Sequence, residues 1–372
     1  MILALLGTPT RTNVQLAYAW RELGVDARVL WPREASALLG PGDVALVRLD
    51  VGPDLDGVEP GLELVPELAE RGVRVLNEPA ALLATHDKLL TAERLQHAGL
   101  PTPWTEHVVP GGPLPAVPFP CVVKPRFGSW GQDVLRCRTP EQLAHMLRLV
   151  ATRPWWRTHG ALVQELVGDG GRDARVVVAG TRIVAGGQRV AGPDEWRTNV
   201  TLGGTVVEAG LPPNVERLAI AAMRALEIDF ACVDLLPATG GWVVLELNGA
   251  VDFDRKYALP GIDTYRAALA GLGIPIPPQR QAVPATLEPT TKEAPMSKIV
   301  QGEPARAGDE ITISGHSVGD APKTAVILAV LGDAGHERYR VRWEDGHESI
   351  YFPAEDATLT RPARRRTKSA AA

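Results

Sequence analysis

The chain has 372 residues, of which 45% are hydrophobic and 22% charged, as expected of a globular protein with about two or three cores. Its net charge of −5 provides no whole-chain attraction to nucleic acid or to an anionic membrane. No apolar run reaches the roughly 18 residues that a membrane-spanning helix needs. The three cysteines lack metal-like spacing, which is typical of reduced side chains in a cytoplasmic protein.

Lysine is rare in this chain. Of 39 basic residues only seven are lysines, and residues 1–255 contain two of them, Lys88 and Lys124. Lysine is a compact charge on a flexible stem, whereas arginine is a planar fork, so the two are not interchangeable at a binding site. Two interpretations stay open at this point. One is that the two lysines were retained by chance, and the other is that they occupy positions where an arginine side chain could not perform the same role.

The first 84 residues alternate between strand and helix patterns. Strands separated by helices predict βαβ units and a parallel sheet. The segment after the first strand has a single glycine, so a dinucleotide fingerprint is absent. The predicted strands are 2–6, 27–30, 44–49 and 73–76, and the predicted helices are 12–23 and 62–71.

Residues 85–276 combine helical segments with longer strands, and we expect two subdomains that divide near residue 155. A hairpin is predicted around 237–241, between strands 230–236 and 242–247. The other predicted strands are 121–124, 161–167 and 174–190, and the predicted helices are 88–98, 141–150 and 214–226.

The last hundred or so residues change character. Residues 277–304 are rich in proline and predict a linker, 305–360 alternate as a small all-β barrel, and 361–372 form a basic, low-complexity tail that we predict to be disordered. Three aromatic residues of the barrel, Tyr339, Trp343 and Tyr351, fit either a peptide or nucleic-acid groove or the barrel core. The predicted domain boundaries are therefore 1–84, 85–276, 277–304, 305–360 and 361–372.

Lys124 lies at the end of a predicted strand and is followed by a short loop with glycines at both ends, Gly128 to Gly131. Such a loop can present backbone N–H groups to phosphate oxygens beside the lysine ammonium. A plain turn remains the alternative. Motifs for three other chemistries, namely GxxxxGK[ST], HExxH and CxxC, do not occur.

The predicted hairpin carries Asp234, Glu246 and Asn248. If the two strands pair with an even residue sum, all three side chains lie on one face. Two carboxylates and an amide oxygen are hard ligands suited to Mg²⁺, although a solvated polar face is the alternative. Arg175, on an earlier strand, could add positive charge for a phosphoryl transition state, or form a surface ion pair.

Seven segments in order resemble the ATP-grasp superfamily, and in particular the branch of ribosomal-protein glutamate ligases and lysine-biosynthesis ligases that act on a carrier protein. They are HDKLLTAERLQHAGLPTP, VVKPRFGSWGQDV, LVQELV, GRDARVVVAG, EWRTNVTLGG, FACVDLLP and VVLELNGAVDF. The resemblance covers residues 1–275 and implies an α/β fold of the α+β ATP-grasp kind with an N-terminal Rossmann-like parallel-sheet domain. Residues 305–360 resemble small uncharacterised actinobacterial domains, which implies an SH3-like barrel.

The resemblance implies a role for each matching position. Lys88 and Lys124 contact the ATP phosphates, and Arg189 can join the substrate side of the site. The implied catalytic residues are Arg175, Arg197 and Asn199, and the implied metal ligands are Asp234, Glu246 and Asn248. The implied nucleotide-binding residues are Lys88, Lys124, Gly128, Ser129, Trp130, Gly131, Gln164, Glu165, Leu166 and Asp173. Of these, the resemblance assigns Gln164, Glu165 and the backbone of Leu166 to the adenine edge, and Asp173 to the ribose hydroxyls.

The implied activity is that of a carbon–nitrogen ligase, which forms an amide or peptide bond through an acyl-phosphate with ATP and two Mg²⁺ ions, or Mn²⁺. Its partners would be small carboxylate and amine substrates, a peptide or a carrier protein. The chain could also form a homo-oligomer, and we expect it to bind neither a membrane nor nucleic acid. After Asn248 the stretch GAVDFDRKYALPG departs from the family, so the glutamate-ligase substrate does not carry over. The acceptor contacts are then sought at Asp252, Asp254, Arg255 and Lys256.

Two other classes of function remain as alternatives. The chain could be a nucleotide-binding regulatory or scaffold protein with a lapsed active site. It could also be a nucleic-acid tether that acts through the C-terminal barrel and the basic tail.

Overall fold

The computed structural model describes residues 1–168, 170–207, 211–251, 255–278, 298–299, 305–313, 323–331, 338–343, 348–351 and 357–361. The chain divides into two compact units, residues 1–280 and 281–372. Within the described part, no helix is long and apolar enough to cross a membrane.

The N-terminal segment forms a four-stranded parallel sheet in the order β2-β1-β3-β4. The predicted parallel sheet is therefore confirmed. Its strands are β1 (Ile2–Leu6), β2 (Asp26–Leu30), β3 (Val44–Val47) and β4 (Arg74–Leu76), and its helices are α1 (Arg11–Glu22), α2 (Pro32–Leu38), α3 (Val65–Glu70) and α4 (Pro79–His86).

A second four-stranded sheet, antiparallel throughout, has the order β5-β8-β6-β7. Helix α5 precedes it, and the side chain of Asp87 accepts hydrogen bonds from the first-turn N–H groups of that helix. The elements are α5 (Lys88–His97), β5 (Thr105–Val108), β6 (Cys121–Pro125), β7 (Leu135–Cys137), α6 (Pro140–Val150), α7 (Pro154–His159) and β8 (Ala161–Glu165).

The third sheet has five antiparallel strands in the order β11-β10-β9-β12-β13. The single strand predicted over 174–190 is wrong, because the chain turns back at Gly180, which has a φ of 57°. The continuous apolar pattern of that segment concealed the turn. The elements are β9 (Arg172–Ala179), β10 (Arg182–Val190), β11 (Thr205–Val207), α8 (Pro213–Leu226), β12 (Phe230–Ala238), β13 (Gly241–Asn248) and α9 (Thr264–Gly271).

Alternate residues of strand β9 lie in two different hydrophobic cores. Val176 and Val178 pack against α8, whereas Val177 and Ala179 join the core that includes β1, α1 and α9. Both faces of this sheet are therefore covered over most of its area. Where the second face is not filled by apolar side chains, it carries the charged residues of the candidate site.

The unit 281–372 contains an antiparallel sheet in the order β14-β19-β15-β16-β17-β18, in agreement with the expected all-β domain. Tyr339 is only 8% exposed and lies in its core with Val341, and Trp343 packs against them, which favours the core interpretation for both aromatics. The side chain of Tyr351 is outside the described residues. The strands are β14 (Lys298–Ile299), β15 (Glu310–Ile313), β16 (Lys323–Leu331), β17 (Arg338–Trp343), β18 (Glu348–Tyr351) and β19 (Ala357–Arg361).

Two strands fall where we predicted irregular chain. Strand β14 lies inside the predicted linker 277–304, and Arg361, the first residue of the predicted tail, ends strand β19. The guanidinium of Arg361 donates to both carboxylate oxygens of Asp309, at 2.9 and 3.0 Å. A buried partner 52 residues away is not visible in a local sequence pattern. Residues 362–372 lie outside the described part.

Candidate active site

Strands β12 and β13 place the three predicted oxygen ligands on one face of the hairpin. Asp234 lies directly opposite Glu246, and Asn248 pairs with Cys232. The residue sum of each pair is even, so the side chains of Asp234, Glu246 and Asn248 share a face. The neighbouring side chains of Val233 and Leu247 are buried in the core on the opposite face.

Two arginines from neighbouring strands converge on Asp234. Arg175 lies opposite it on β9 and donates from Nε and Nη2 to the two carboxylate oxygens, at 2.9 and 2.8 Å. Nη2 of Arg189 lies 3.0 Å from Oδ2 of the same carboxylate. Burial alone would raise the pKa of the Asp234 carboxyl, but the two guanidinium groups outweigh it and hold that pKa well below its usual range. Asp234 is therefore ionised and firmly held.

Asp173 extends this network toward the loop that follows β10. Both of its oxygens face Arg189, with Nε at 2.8 Å from Oδ1, and the hydroxyl of Thr198 donates to Oδ2 at 2.6 Å. Asp173 is only 2% exposed. The structure thus surrounds Asp173 with protein partners, and its predicted contact with the ribose hydroxyls would require one of these bonds to open.

The two rare lysines lie on the other side of Glu246. Nζ of Lys88 donates to the Gly128 carbonyl at 2.6 Å and lies 3.2 Å from Oε2 of Glu246. Nζ of Lys124 donates to Oε1 of Gln164 at 2.8 Å. Burial lowers the pKa of the Lys124 ammonium to about 8, although Glu246 opposes the shift. The pair therefore links the glycine loop, the metal-ligand hairpin and strand β8.

The glycine loop, defined here as Gly128 to Gly131, is held at its far end. The carbonyl of Gly131 accepts a hydrogen bond from Nη1 of Arg197 at 2.9 Å, and Arg197 is itself fixed by Glu195 through Nε and Nη2 at 3.1 and 2.7 Å. Gly131 has a φ of 72°, and a Cβ there would lie 2.8 Å from Oδ1 of Asn199. The structure therefore brings Arg197 and Asn199 to the glycine loop, where both lie against Gly131.

Trp130 lies at the tip of this loop and is 54% exposed, in the left-handed region at a φ of 60°. More than half of this aromatic surface is therefore open to solvent. Ser129 is half-buried beside it, and its carbonyl accepts from the backbone N–H of Gln132 at 3.1 Å. The tip of the loop is therefore accessible to a ligand.

The three residues predicted to hold adenine lie at the end of strand β8. The side chain of Gln164 is 2% exposed and connects Lys124 to the hydroxyl of Thr105. The backbone N–H of Glu165 donates to Trp104, and that of Leu166 donates to Pro120, both at 2.9 Å. The backbone N–H groups of Glu165 and Leu166 are therefore already engaged within the protein.

The segment after Asn248 is tightly packed at its start. Oδ1 of Asn248 accepts from the backbone N–H of Ala250 at 2.9 Å, and a Cβ at Gly249 would lie 2.4 Å from a methyl carbon of Leu82. The carbonyl of Val251 accepts from the guanidinium of Arg48 at 2.7 Å. Lys256 is exposed, whereas Asp252, Asp254 and the side chain of Arg255 lie outside the described residues.

The hairpin face provides a chemically suitable donor set for Mg²⁺. No group of three His, Cys, Asp or Glu side chains meets metal-site criteria in the part of the chain that the structure describes. Asp234 and Glu246 nevertheless supply two carboxylates on facing positions, Asn248 supplies an amide oxygen, and Mg²⁺ requires only one or two carboxylates beside substrate phosphates. Both oxygens of Asp234 already accept from Arg175, so a metal ion at Asp234 would have to share these oxygens or displace a guanidinium contact. The Glu246 side chain is 27% exposed and hence within reach of a ligand.

Four residues near the site were not singled out by sequence reasoning: Asp87, Arg126, Glu195 and Thr198. Asp87, Arg126 and Thr198 carry no motif, because the partner of each lies on another segment of the chain. Glu195 differs, since it pairs with Arg197 only two residues away, and the local sequence could have suggested that pair.

Comparisons with known proteins match two segments of this chain to described domains. Residues 109–270 match the family model described as a RimK-like ATP-grasp domain, and residues 304–359 match a domain of unknown function, DUF1918. A probable alpha-L-glutamate ligase of Mannheimia succiniciproducens is 28% identical over 235 residues, which cover 59% of this chain and 77% of that protein.

Two solved structures share the fold over 73% of this chain. An ATP-grasp RimK domain protein of Sphaerobacter thermophilus has a TM-score of 0.53 at 20% identity, with 99% of that chain covered. A D-alanine–D-alanine ligase of Bacillus anthracis has a TM-score of 0.54 at 16% identity, with 95% covered. Residues 109–270 therefore match a RimK-like ATP-grasp domain, and the chain shares the fold of a solved ATP-grasp protein over 73% of its length.

Proposed function

We propose that this protein is an ATP-dependent carboxylate–amine ligase whose active site is the charged face of the β9–β10–β12–β13 sheet. The observation that carries the proposal is the position of Lys88. Its ammonium lies between the carbonyl of Gly128 and the carboxylate of Glu246, so one cation joins the phosphate-binding loop to the metal-binding hairpin. A site that binds a nucleotide and a divalent cation together needs this juxtaposition.

In the proposed reaction, a substrate carboxylate attacks the γ-phosphorus of ATP, the bond to ADP breaks, and an acyl-phosphate forms. An amine then attacks the acyl carbon, phosphate leaves, and the ammonium proton is released to solvent or phosphate. Lys88 and Lys124 would hold the phosphates, and the Arg175 guanidinium, 17% exposed and paired with Asp234, would keep positive potential near the transferred group. Asp234, Glu246 and Asn248 would hold Mg²⁺, which offsets phosphate charge.

The binding roles of the predicted site residues are part of this proposal. We assign two Mg²⁺ ions, with Mn²⁺ as an acceptable substitute, and place adenine at Gln164, Glu165 and Leu166. Arg197 and Asn199 would act at the loop margin, where Arg197 donates to the Gly131 carbonyl and the Asn199 side chain lies close to Gly131. From this position they would orient the substrate.

For the substrate class we propose an amino acid or a peptide. Relatives named probable alpha-L-glutamate ligase and the fold shared with a D-alanine–D-alanine ligase support this class. The residues after Asn248 would shape the acceptor pocket. We also retain the predicted division into domains 1–84, 85–276 and 305–360, the cytoplasmic location, and small-molecule or carrier-protein partners as proposals.

The test is ADP release from Mg-ATP in the presence of pools of amino acids and short peptides. We expect turnover with at least one carboxylate–amine pair, and loss of turnover in the Lys124→Ala and Glu246→Ala variants. The control is Arg28→Ala, which removes an exposed ion pair with Asp26 far from the site. Tight nucleotide binding with no turnover in any pool would favour the scaffold alternative. DNA binding that requires residues 297–372, again without turnover, would favour the tether.

A further inference from the structure

An ion pair outside the proposed binding set connects the two segments that grip the phosphates. Nε of Arg126 lies 2.7 Å from Oδ1 of Asp87, and Nη2 lies 2.5 Å from Oδ2. This two-point geometry is the strong form of an arginine–carboxylate contact. Arg126 lies two residues before the glycine loop, and Asp87 immediately precedes Lys88.

The backbone reinforces the same connection. The N–H of Lys88 donates to the carbonyl of Arg126 at 3.1 Å, and Asp87 forms an isolated antiparallel bridge with Phe127. Oδ1 of Asp87 also accepts from the N–H groups of Leu89 and Leu90, at 3.1 and 3.4 Å, and so begins helix α5. One carboxylate therefore fixes the start of the helix and the base of the loop at the same time.

Neither residue is suited to contact ATP directly. Asp87 is 2% exposed, and both of its oxygens already accept from protein donors. The positive charge of Arg126 is matched by this carboxylate. Lys88, in contrast, reaches from the fixed segment to Gly128 with its ammonium. The position of that ammonium therefore depends on how the helix start and the loop base are held together.

We propose that Arg126 and Asp87 are positioning residues: their ion pair holds Lys88 and the glycine loop in the geometry that grips the nucleotide phosphates. The inference deepens the proposed function and rests on its assignment of Lys88 to ATP. The competing interpretation is an ion pair that only stabilises the fold. The positioning role predicts that breaking the ion pair weakens nucleotide binding. A purely stabilising role predicts a lower melting temperature with unchanged nucleotide affinity.

The first test uses nucleotide binding, so that it does not depend on turnover. Titration calorimetry of the full chain with Mg-ADP compares wild type with Asp87→Asn, Arg126→Gln and Arg126→Lys. Asparagine keeps the helix cap but loses the charge, and lysine keeps the charge but loses the fork. We expect a dissociation constant about tenfold weaker in each variant, the size of one charge-assisted hydrogen bond.

The matched control is Arg28→Gln, which breaks another two-point pair, with Asp26, at similar distances of 2.8 and 2.7 Å. It should leave Mg-ADP affinity unchanged. The double variant Asp87→Asn/Arg126→Gln should bind no more weakly than the weaker single variant, because both changes break the same pair. If Asp87→Asn does not fold, the two Arg126 variants provide the same comparison.

Amide hydrogen exchange supplies a second readout. In wild type, Mg-ADP should slow exchange across residues 126–131, and in Arg126→Gln that protection should be lost at saturating nucleotide. Should turnover be found, KM for ATP should rise while KM for the amine stays constant. Unchanged Mg-ADP affinity and protection, alongside a lower melting temperature, would overturn the positioning role. Wild-type binding without turnover would instead refute only the ligase proposal.

Discussion

The lysine side and the arginine side of the site hold their charges in different ways. Arg189 is buried and Arg175 is largely buried, and both are fixed to the carboxylates of Asp173 and Asp234 by ion pairs between strands of one sheet. Lys88 and Lys124 each have one hydrogen bond to a neutral oxygen. An ammonium has three donors, so these lysines retain capacity for phosphate oxygens, whereas the arginines are committed to the framework. We therefore call the part of the site around Arg175 and Arg189 its rigid side, and the part around Lys88 and Lys124 its adaptable side.

The largest expected difference between the two sides concerns stability. Asp234→Ala would leave two buried guanidinium groups without their shared carboxylate and should lower the free energy of unfolding by about 3–5 kcal/mol. Glu246→Ala removes a partly exposed partner of Lys88 and should cost less than about 1 kcal/mol. Both should abolish ADP release. Urea unfolding midpoints measure the difference, with Asp234→Asn as the isosteric control. Equal midpoints would contradict the division into two sides.

The second prediction concerns the pH dependence of ATP affinity. Burial lowers the pKa of Lys124 to about 8, and bound phosphates favour the ammonium and so raise that pKa. Below pH 8 the lysine is already charged and affinity should be flat. Above it, ATP binding takes up a proton, and affinity should fall by up to about tenfold per pH unit. Calorimetry from about pH 7 to pH 10 measures the slope.

Lys124→Arg is the matched control, because a guanidinium stays charged throughout this range. Its affinity for ATP should be independent of pH, whatever its absolute value. The wild-type protein should also become more stable between pH 8 and 10.5, since the unfolded lysine binds the proton more tightly than the folded one. A flat wild-type affinity would mean that Lys124 does not meet the phosphates.

The smallest effect is expected where the arginine side reaches the loop after β10. Thr198→Val removes the hydrogen bond to Asp173 and should cost about 1 kcal/mol of stability, because Arg189 still satisfies that carboxylate. Thr198→Ser keeps the hydroxyl and should behave like wild type. Thermal melting measures both. If Thr198→Val lowered the free energy of unfolding as much as Asp234→Ala does, the loop after β10 would belong to the rigid side as well.

Much of the site could be predicted from local pattern. In the 230–247 hairpin the apolar residues favour an even residue sum for the strand pairing, since a slip of one position would expose Val233 and Leu247. This places Asp234 and Glu246 on one face, and the structure then shows that they are directly opposite each other. Lys88 and Lys124 were marked by composition and by the loop that follows Lys124. The strands and helices of residues 1–84 also follow their patterns, apart from the short helices α2 and α4.

Only the tertiary structure decided which charges meet. Asp87 and Arg126 are 39 positions apart, and Asp234 and Arg175 are 59 positions apart. Each pair exists because separate segments pack side by side, which no local pattern specifies. The amino-acid sequence determined the chemistry available to the site and the faces on which it lies. The packing of the sheets determined which charged groups lie next to each other. A buried charge is stable only beside its counter-ion, and the fold determines which counter-ion is near.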